Sequence, residues 1–261
     1  TGNYDVNSEI YTIPIAGGIP KRLTHHPGSD RIVEWHPSGD RVLYSTGMTS
    51  GKNRFRQLYT VAATGGLPEK LPMAYGDFAS YSPDGGRVAF MPIEREYRTW
   101  KRYRGGMAPD IFLFDLEDYS STNLTDNVAN DSLPMWHQER IYFLSDRDGN
   151  QRGNIWAFDI TDQRTYQVTF FEDFDVRFPS IGPKDIVFEN GGQLFLLDLA
   201  TEEARPIDID VIIDQTTLKP ETKNVSRHIE SSHISPTGKR AVFEARGDIF
   251  TVPAQYGVVR N

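Results

Sequence analysis

The chain has 261 residues, 38 % apolar and 12 % aromatic, with 28 Lys/Arg against 36 Asp/Glu and a formal net charge of −8. Such a composition can bury a substantial core, and its acidity argues against nucleic acid or an anionic membrane as the main partner. Cysteine is absent, which excludes a disulfide framework, a thiolate zinc site and a cysteine nucleophile.

In chain order, the first predicted elements are a short strand at Glu9–Tyr11 and a second ending in Arg22-Leu-Thr24. A pattern then begins that occurs five times: a bulky apolar residue, a polar turn and a short hydrophobic strand. Its copies start at Trp35, Tyr81, Trp136, Ile181 and Ile234, with spacings of 46, 55, 45 and 53 residues. That is the length of one four-stranded propeller blade. Within a copy, Ser82-Pro-Asp-Gly85 has the chemistry of a type I turn joining a blade's first strand, A, to its second, B.

The predicted B strands are Arg41–Tyr44, Arg87–Phe90, Arg140–Phe143, Asp185–Phe188 and Arg240–Phe243. They are β-branched and aromatic-rich, and their nearly continuous apolar character suits strands covered on both faces. C strands occur six times, around Ile10, Leu58, Ile111, Ile155, Leu194 and Ile249, and D strands end in Leu-Thr or Val-Thr, as at Thr24, Thr125 and Thr169. The stretch Asp208–Ser231 is expected to be a long loop.

This inventory predicts an all-β propeller of four-stranded blades, forming one domain over residues 1–261. Four blades are complete, with a C–D pair in front and an A–B–C set behind. A six-bladed frame with incomplete first and last blades is one closure; a five-bladed ring closed by complementation of the terminal pieces is the other. No apolar run reaches the roughly 18 residues of a membrane span, and Thr1–Val6 lacks the marks of a secretory leader.

No nucleophile elbow, zinc-helix motif or phosphate-binding loop is present. His25-His26 lacks a third ligand nearby, and Asp146–Asn150 starts like a calcium loop but has Gln151 and Ala157 where Gly and Glu are required. Neither a metal nor a cofactor is expected. Asn123-Leu-Thr125 and Asn224-Val-Ser226 match a glycosylation sequon, a pattern short enough to arise by chance. The segment Arg95–Arg104 interleaves five basic residues with three aromatics; in an acidic protein it points to a protein domain or a peptide carboxylate rather than to nucleic acid.

Three B–C loops, residues 45–56, 93–109 and 145–153, hold ten bases against four acids, whereas the D–A loops 24–33, 72–79, 125–132 and 170–178 hold two bases against seven acids. Propeller geometry sends both sets to one face. The expectation is a functional face with separate acidic and basic zones.

The ordered set Trp100–Gly106, Leu144–Gly149, Phe174–Ser180, Glu189–Gly192 and Gly238–Gly247 resembles the N-terminal propeller of tricorn-type serine proteases across essentially the whole chain. The Ser-Pro-Asp-Gly turn alone is shared by TolB-like and dipeptidyl-peptidase-like propellers; the ordered set is more specific. The resemblance implies a six-bladed propeller within a large, peptide-trimming cytosolic assembly, a homo-oligomer in its full-length form, whose catalytic residues lie in other domains. No residue of this chain is then catalytic. It further implies a role in substrate or product channelling and in docking to other domains, with a basic pair anchoring the peptide carboxylate. The matching loop, His25–Val33, departs from that pattern by offering only Arg31 next to Asp30, and Arg102 and Arg104 are an alternative source of charge. A stand-alone TolB-like protein-binding propeller, an independent propeller enzyme and an exported parent with an upstream leader remain open alternatives.

Overall fold

The computed structural model describes residues 1–4, 7–51, 55–93, 97, 101–210, 212 and 221–261. They form two compact units, Thr1–Asp208 and Ile209–Asn261. In the first unit, β1 (Tyr11–Thr12) pairs with β2 (Lys21–Arg22). Next comes a four-stranded sheet of β3 (Asp30–Trp35), β4 (Arg41–Thr46), β5 (Gln57–Ala62) and β6 (Glu69–Lys70). The following sheet contains β7 (Phe78–Tyr81), β8 (Arg87–Met91), β9 (Phe112–Asp115) and β10 (Ser121–Asn123). The third and fourth are β11 (Asp131–His137), β12 (Arg140–Ser145), β13 (Asn154–Asp159) and β14 (Arg164–Gln167), then β15 (Arg177–Ile181), β16 (Asp185–Asn190), β17 (Gln193–Asp198) and β18 (Ala204–Pro206).

The second unit has a 3-10 turn at Ser226–His228 and a sheet of β19 (Ile229–Ile234), β20 (Arg240–Ala245) and β21 (Asp248–Pro253). Every pairing is antiparallel between consecutive strands, the order of propeller blades. The inventory of a C–D pair, four full blades and an A–B–C set is the predicted one. A single bridge, Thr251 to Arg260, occupies the fourth position of the last sheet. The expected 208–231 loop ends earlier than predicted, because β19 already begins at Ile229; residues 211 and 213–220 lie outside the described set.

The repeated residues build the blades through three local devices. These D strands stop before their Leu-Thr or Val-Thr because the threonine turns back onto strand C: the amides of Ile10, Ile111 and Ile155 donate to Oγ1 of Thr24, Thr125 and Thr169 at 2.9–3.0 Å. C–D hairpins are capped by Asp115, Asp159 and Asp198, each accepting two amides two and three residues on. At the A–B turn Gly85 adopts φ 74°, a left-handed conformation that a side chain would strain.

The core lies between neighbouring sheets. Leu43 and Leu58 of the first four-stranded sheet pack with Tyr81 and Val88 of the second. Ala89 and Ile111 pack with Ile141 and Phe143 of the third, and Tyr142 and Ile155 with Ile186 and Phe188 of the fourth. Each Leu, Ile, Val or Phe among them contributes about 1.5–3 kcal/mol on burial. The B strands β8 and β12 are covered on both faces, as their continuous apolar character requires.

Candidate functional site

The first strands of the four complete blades, β3, β7, β11 and β15, surround a cavity of about 240 Å³. Three of them carry β-bulges, between Ile32 and Glu34, Ser132 and Met135, and Arg177 and Ser180. Leu133 (φ 53°) and Phe178 (φ 49°) sit in the left-handed region just before Pro134 and Pro179. Bulges re-aim side chains and interrupt pairing, and strained backbone of this kind clusters at functional sites. All three bulges line the cavity.

The β3 bulge changes which residues face together. A regular strand would send Arg31 and Glu34 to opposite faces. Here Arg31 pairs with Ser45 and Glu34 with Leu43, so the extra residue at Val33 brings them to one face, two register steps apart. Glu34 lines the cavity with Phe78, Tyr97 and Phe178. Its Oε2 accepts the Ser80 hydroxyl at 2.9 Å and its Oε1 accepts the Tyr81 amide. Ser80 Oγ in turn accepts the Trp136 amide at 2.9 Å, which fixes the hydroxyl toward Glu34. Burial pushes the Glu34 carboxyl up to about 7, against the lowering effect of the Tyr81 and Ser80 donors.

Of the sequence-predicted site residues, Arg31 adjoins this cavity. Its guanidinium carbon lies 4.9 Å from the Phe78 ring centre and 5.1 Å from that of Tyr97. Nη2 is 3.5 Å from Asp77, while Nη1 is buried with no hydrogen-bond partner among the described residues. Tyr97 also stacks on Phe178, with ring centres 6.2 Å apart.

Arg102 and Arg104 lie elsewhere, on the loops, and both are neutralised. Arg102 bonds Asp175 at 3.0 Å and the Gln151 carbonyl at 2.8 Å, with Lys101 on the other Asp175 oxygen at 2.6 Å. Burial raises the Asp175 carboxyl, but the Lys101 hydrogen bond, the Gly153 amide and the charges of Lys101 and Arg102 outweigh it and hold the group low. Arg104 bonds Asp146 at 2.9 Å, and Asp146 also accepts the Asn130 amide and side chain. Of the predicted basic–aromatic segment, Arg95, Arg98 and Trp100 lie outside the described residues.

Among the described residues, the expected separation of acidic and basic zones is not what forms; Lys52, Arg54, Arg95 and Arg98 of the basic set lie outside them. Arg56 of a B–C loop reaches Asp77 of a D–A loop at 3.6 Å, Arg147 reaches Asp131 at 2.8 Å, and Lys101 and Arg102 reach Asp175. The two loop sets do meet, but their charges interleave into pairs because opposite charges that share a face lower their energy by approaching.

His36 Nδ1 and Ser38 Oγ are 2.6 Å apart beside Asp40. This is turn chemistry. The Ser38 amide donates to the same Nδ1, and the hydroxyl is within hydrogen-bond reach of Asp40. A nucleophile would need to hand its proton to the imidazole.

Glu34 is the site residue that motif reading missed. A signal was present in the repeat: the residue before each copy's bulky apolar position is Glu34, Ser80, Met135, Ser180 and His233. Glu34 is the single carboxylate in that series.

Comparison with known proteins agrees with this architecture. A tricorn protease homolog of Saccharolobus solfataricus is 25 % identical over 242 residues, covering 93 % of this chain and 22 % of the relative. Tricorn protease homolog 1 of Streptomyces coelicolor is 29 % identical over 265 residues, covering 100 % of this chain and 24 % of the relative. The chain thus spans about a quarter of the length of these relatives. Among solved structures, a putative TolB from Agrobacterium tumefaciens superposes with a TM-score of 0.61 at 19 % identity, covering 77 % of this chain and 74 % of that one. The tricorn protease superposes with a TM-score of 0.50 at 18 % identity, covering 97 % of this chain and 29 % of that one. These structural likenesses speak for the propeller fold. Residues 1–203 match the family described as the tricorn protease N-terminal beta propeller domain, and the chain belongs to that family.

Proposed function

We propose that this chain is the propeller of a tricorn-type, peptide-trimming serine protease, and that it passes short peptides and docks to other domains of that protease rather than cutting bonds. The observation that carries this reading is the cavity among β3, β7, β11 and β15, with aromatic walls and the partly unpaired Arg31 guanidinium beside it. A preformed cavity selects by its width and by the groups lining it. Arg31 is the better carboxylate anchor, because Arg102 and Arg104 are already answered by Asp175 and Asp146. The partners on this reading are peptides, further domains of the same cytosolic protease, and other copies of it.

Ser180 is exposed and lines the cavity, so Ser180→Trp in the full-length protease should obstruct the path without disturbing the core. Turnover of peptides several residues long should fall severalfold, while that of a small single-residue amide stays unchanged. Equal effects on both substrates overturn the reading, as does peptide hydrolysis by this chain alone.

A further inference from the structure

Among the described residues, the cavity has one charged group that no charged partner answers. Among the described residues lining it, Glu34 is the sole carboxylate and there is no Lys, Arg or His; the rest are apolar, aromatic or hydroxyl-bearing. Both its hydrogen-bond donors are neutral, the Ser80 hydroxyl and the Tyr81 amide. A carboxylate offers about four lone-pair sites, so each oxygen retains capacity for another donor. Burial has pushed the group up to about 7, the mark of a carboxylate short of solvation. A cation entering the cavity would supply it.

The shape of β3 says what kind of cation. Arg31 and Glu34 share a face at two register steps, about 7 Å along the strand at ~3.4 Å per residue. No ion pair joins them among the described residues; Arg31 is paired with Asp77. Phe78 and Tyr97 border both groups, lining the cavity at Glu34 and stacking on Arg31. An extended dipeptide spans about the same 7 Å between its charged ends. One carboxylate cannot hold a hard divalent cation, which takes six or more oxygen ligands, whereas three ammonium protons fit an acceptor-lined, apolar-walled site.

We infer that the Glu34 end of this cavity is an ammonium site, which takes the free N-terminus of a short apolar peptide whose carboxylate lies toward Arg31. Glu34 supplies the charged acceptor, Ser80 holds it in place, and the rings and β-bulge residues enclose the apolar side chains. The direction assigned to the peptide rests on the proposed channelling role; the ammonium site does not.

Calorimetric titration of the chain with leucyl-phenylalanine, its N-acetyl derivative and its C-terminal amide tests this. Acetylation should weaken binding about tenfold or more, the loss of one charge-assisted hydrogen bond. Glu34→Gln, of nearly the same shape, should bring the free dipeptide down to the affinity of the acetylated one and leave the latter unchanged. Near-ultraviolet circular dichroism checks the fold of the variant, and the comparison of free and acetylated ligands on the unaltered chain needs no variant. Equal affinities for those two ligands overturn the inference. So does discrimination that persists in Glu34→Gln, or failure of the free dipeptide to bind. Sensitivity to amidation without sensitivity to acetylation leaves the Arg31 reading standing and removes the ammonium site; the reverse pattern does the opposite.

Discussion

The loop face and the cavity strand both carry charge, but they differ in what answers it. On the loops, Lys101 and Arg102 close on Asp175, Arg104 on Asp146, Arg147 on Asp131 and Arg56 on Asp77. In the cavity, Glu34 meets two neutral donors, and Arg31 keeps one buried nitrogen without a hydrogen-bond partner among the described residues. Charge answered within the chain holds the blades together. Charge left incompletely answered, in an aromatic enclosure, is free to recognise something else. The contrast predicts opposite phenotypes: loop-face variants should lose stability and keep binding, and cavity variants should do the reverse.

The largest effect belongs to Asp131. It is fully buried and accepts Arg147 at 2.8 Å and Asn127 at 2.7 Å. Asp131→Ala leaves a mostly buried guanidinium without its counter-charge, which costs about 3–5 kcal/mol. Urea denaturation should show this as a lower midpoint at unchanged slope, while the folded fraction binds leucyl-phenylalanine as before. A loss under about 1 kcal/mol would make the loop pair no more than a surface ion pair, and the contrast with the cavity would collapse.

A pH series tests the cavity side. The Glu34 carboxyl is raised from an ordinary 4.5 to about 7, so between those values the folded chain holds a proton that the unfolded chain has released. Its contribution to stability is fully present below the unfolded value and is lost as pH rises through the folded one. The loss is on the order of 3 kcal/mol at most. Glu34→Gln should remove this slope and exceed the unaltered chain in stability at pH 8, although not at pH 4. Asp175 runs the other way: its carboxyl is held below the ordinary 3.8, so its contribution is present above that value and fades on acidification. Parallel pH curves for Glu34→Gln and the unaltered chain would refute the assignment of Glu34.

Much of the fold was legible because its determinants are local. Turn residues and strand apolarity recur from blade to blade, Leu-Thr or Val-Thr endings recur at Thr24, Thr125 and Thr169, and the unequal number of C strands fixed which blades are partial. The site was less legible, for reasons visible in particular residues. Period-two reading puts Arg31 and Glu34 on opposite faces, and a single bulge residue, Val33, reverses this. Arg102 and Arg104 look free in sequence because their partners lie 73 and 42 residues further on. Spacing carries no trace of such pairings. The repeat did contain a usable sign, a carboxylate at Glu34 where other copies have Ser, Met or His.

The smallest expected effect is the sharpest discriminator between the two regions. Arg104 was a candidate for carboxylate binding on the same grounds as Arg31, yet its guanidinium is committed to Asp146 at 2.9 Å. When Arg104 is replaced by Ala, Asp146 keeps the Asn130 amide and side chain, both at 2.8 Å, so its charge is not stranded. The partly exposed pair should therefore contribute only about 0.5–1 kcal/mol, and affinity for leucyl-phenylalanine should not change. Arg31→Ala should instead weaken the free dipeptide but not its C-terminal amide, because only the former presents a carboxylate. Should Arg104→Ala weaken the dipeptide more than Arg31→Ala does, the anchor belongs on the loops, and the paired charges there must open to accept the peptide.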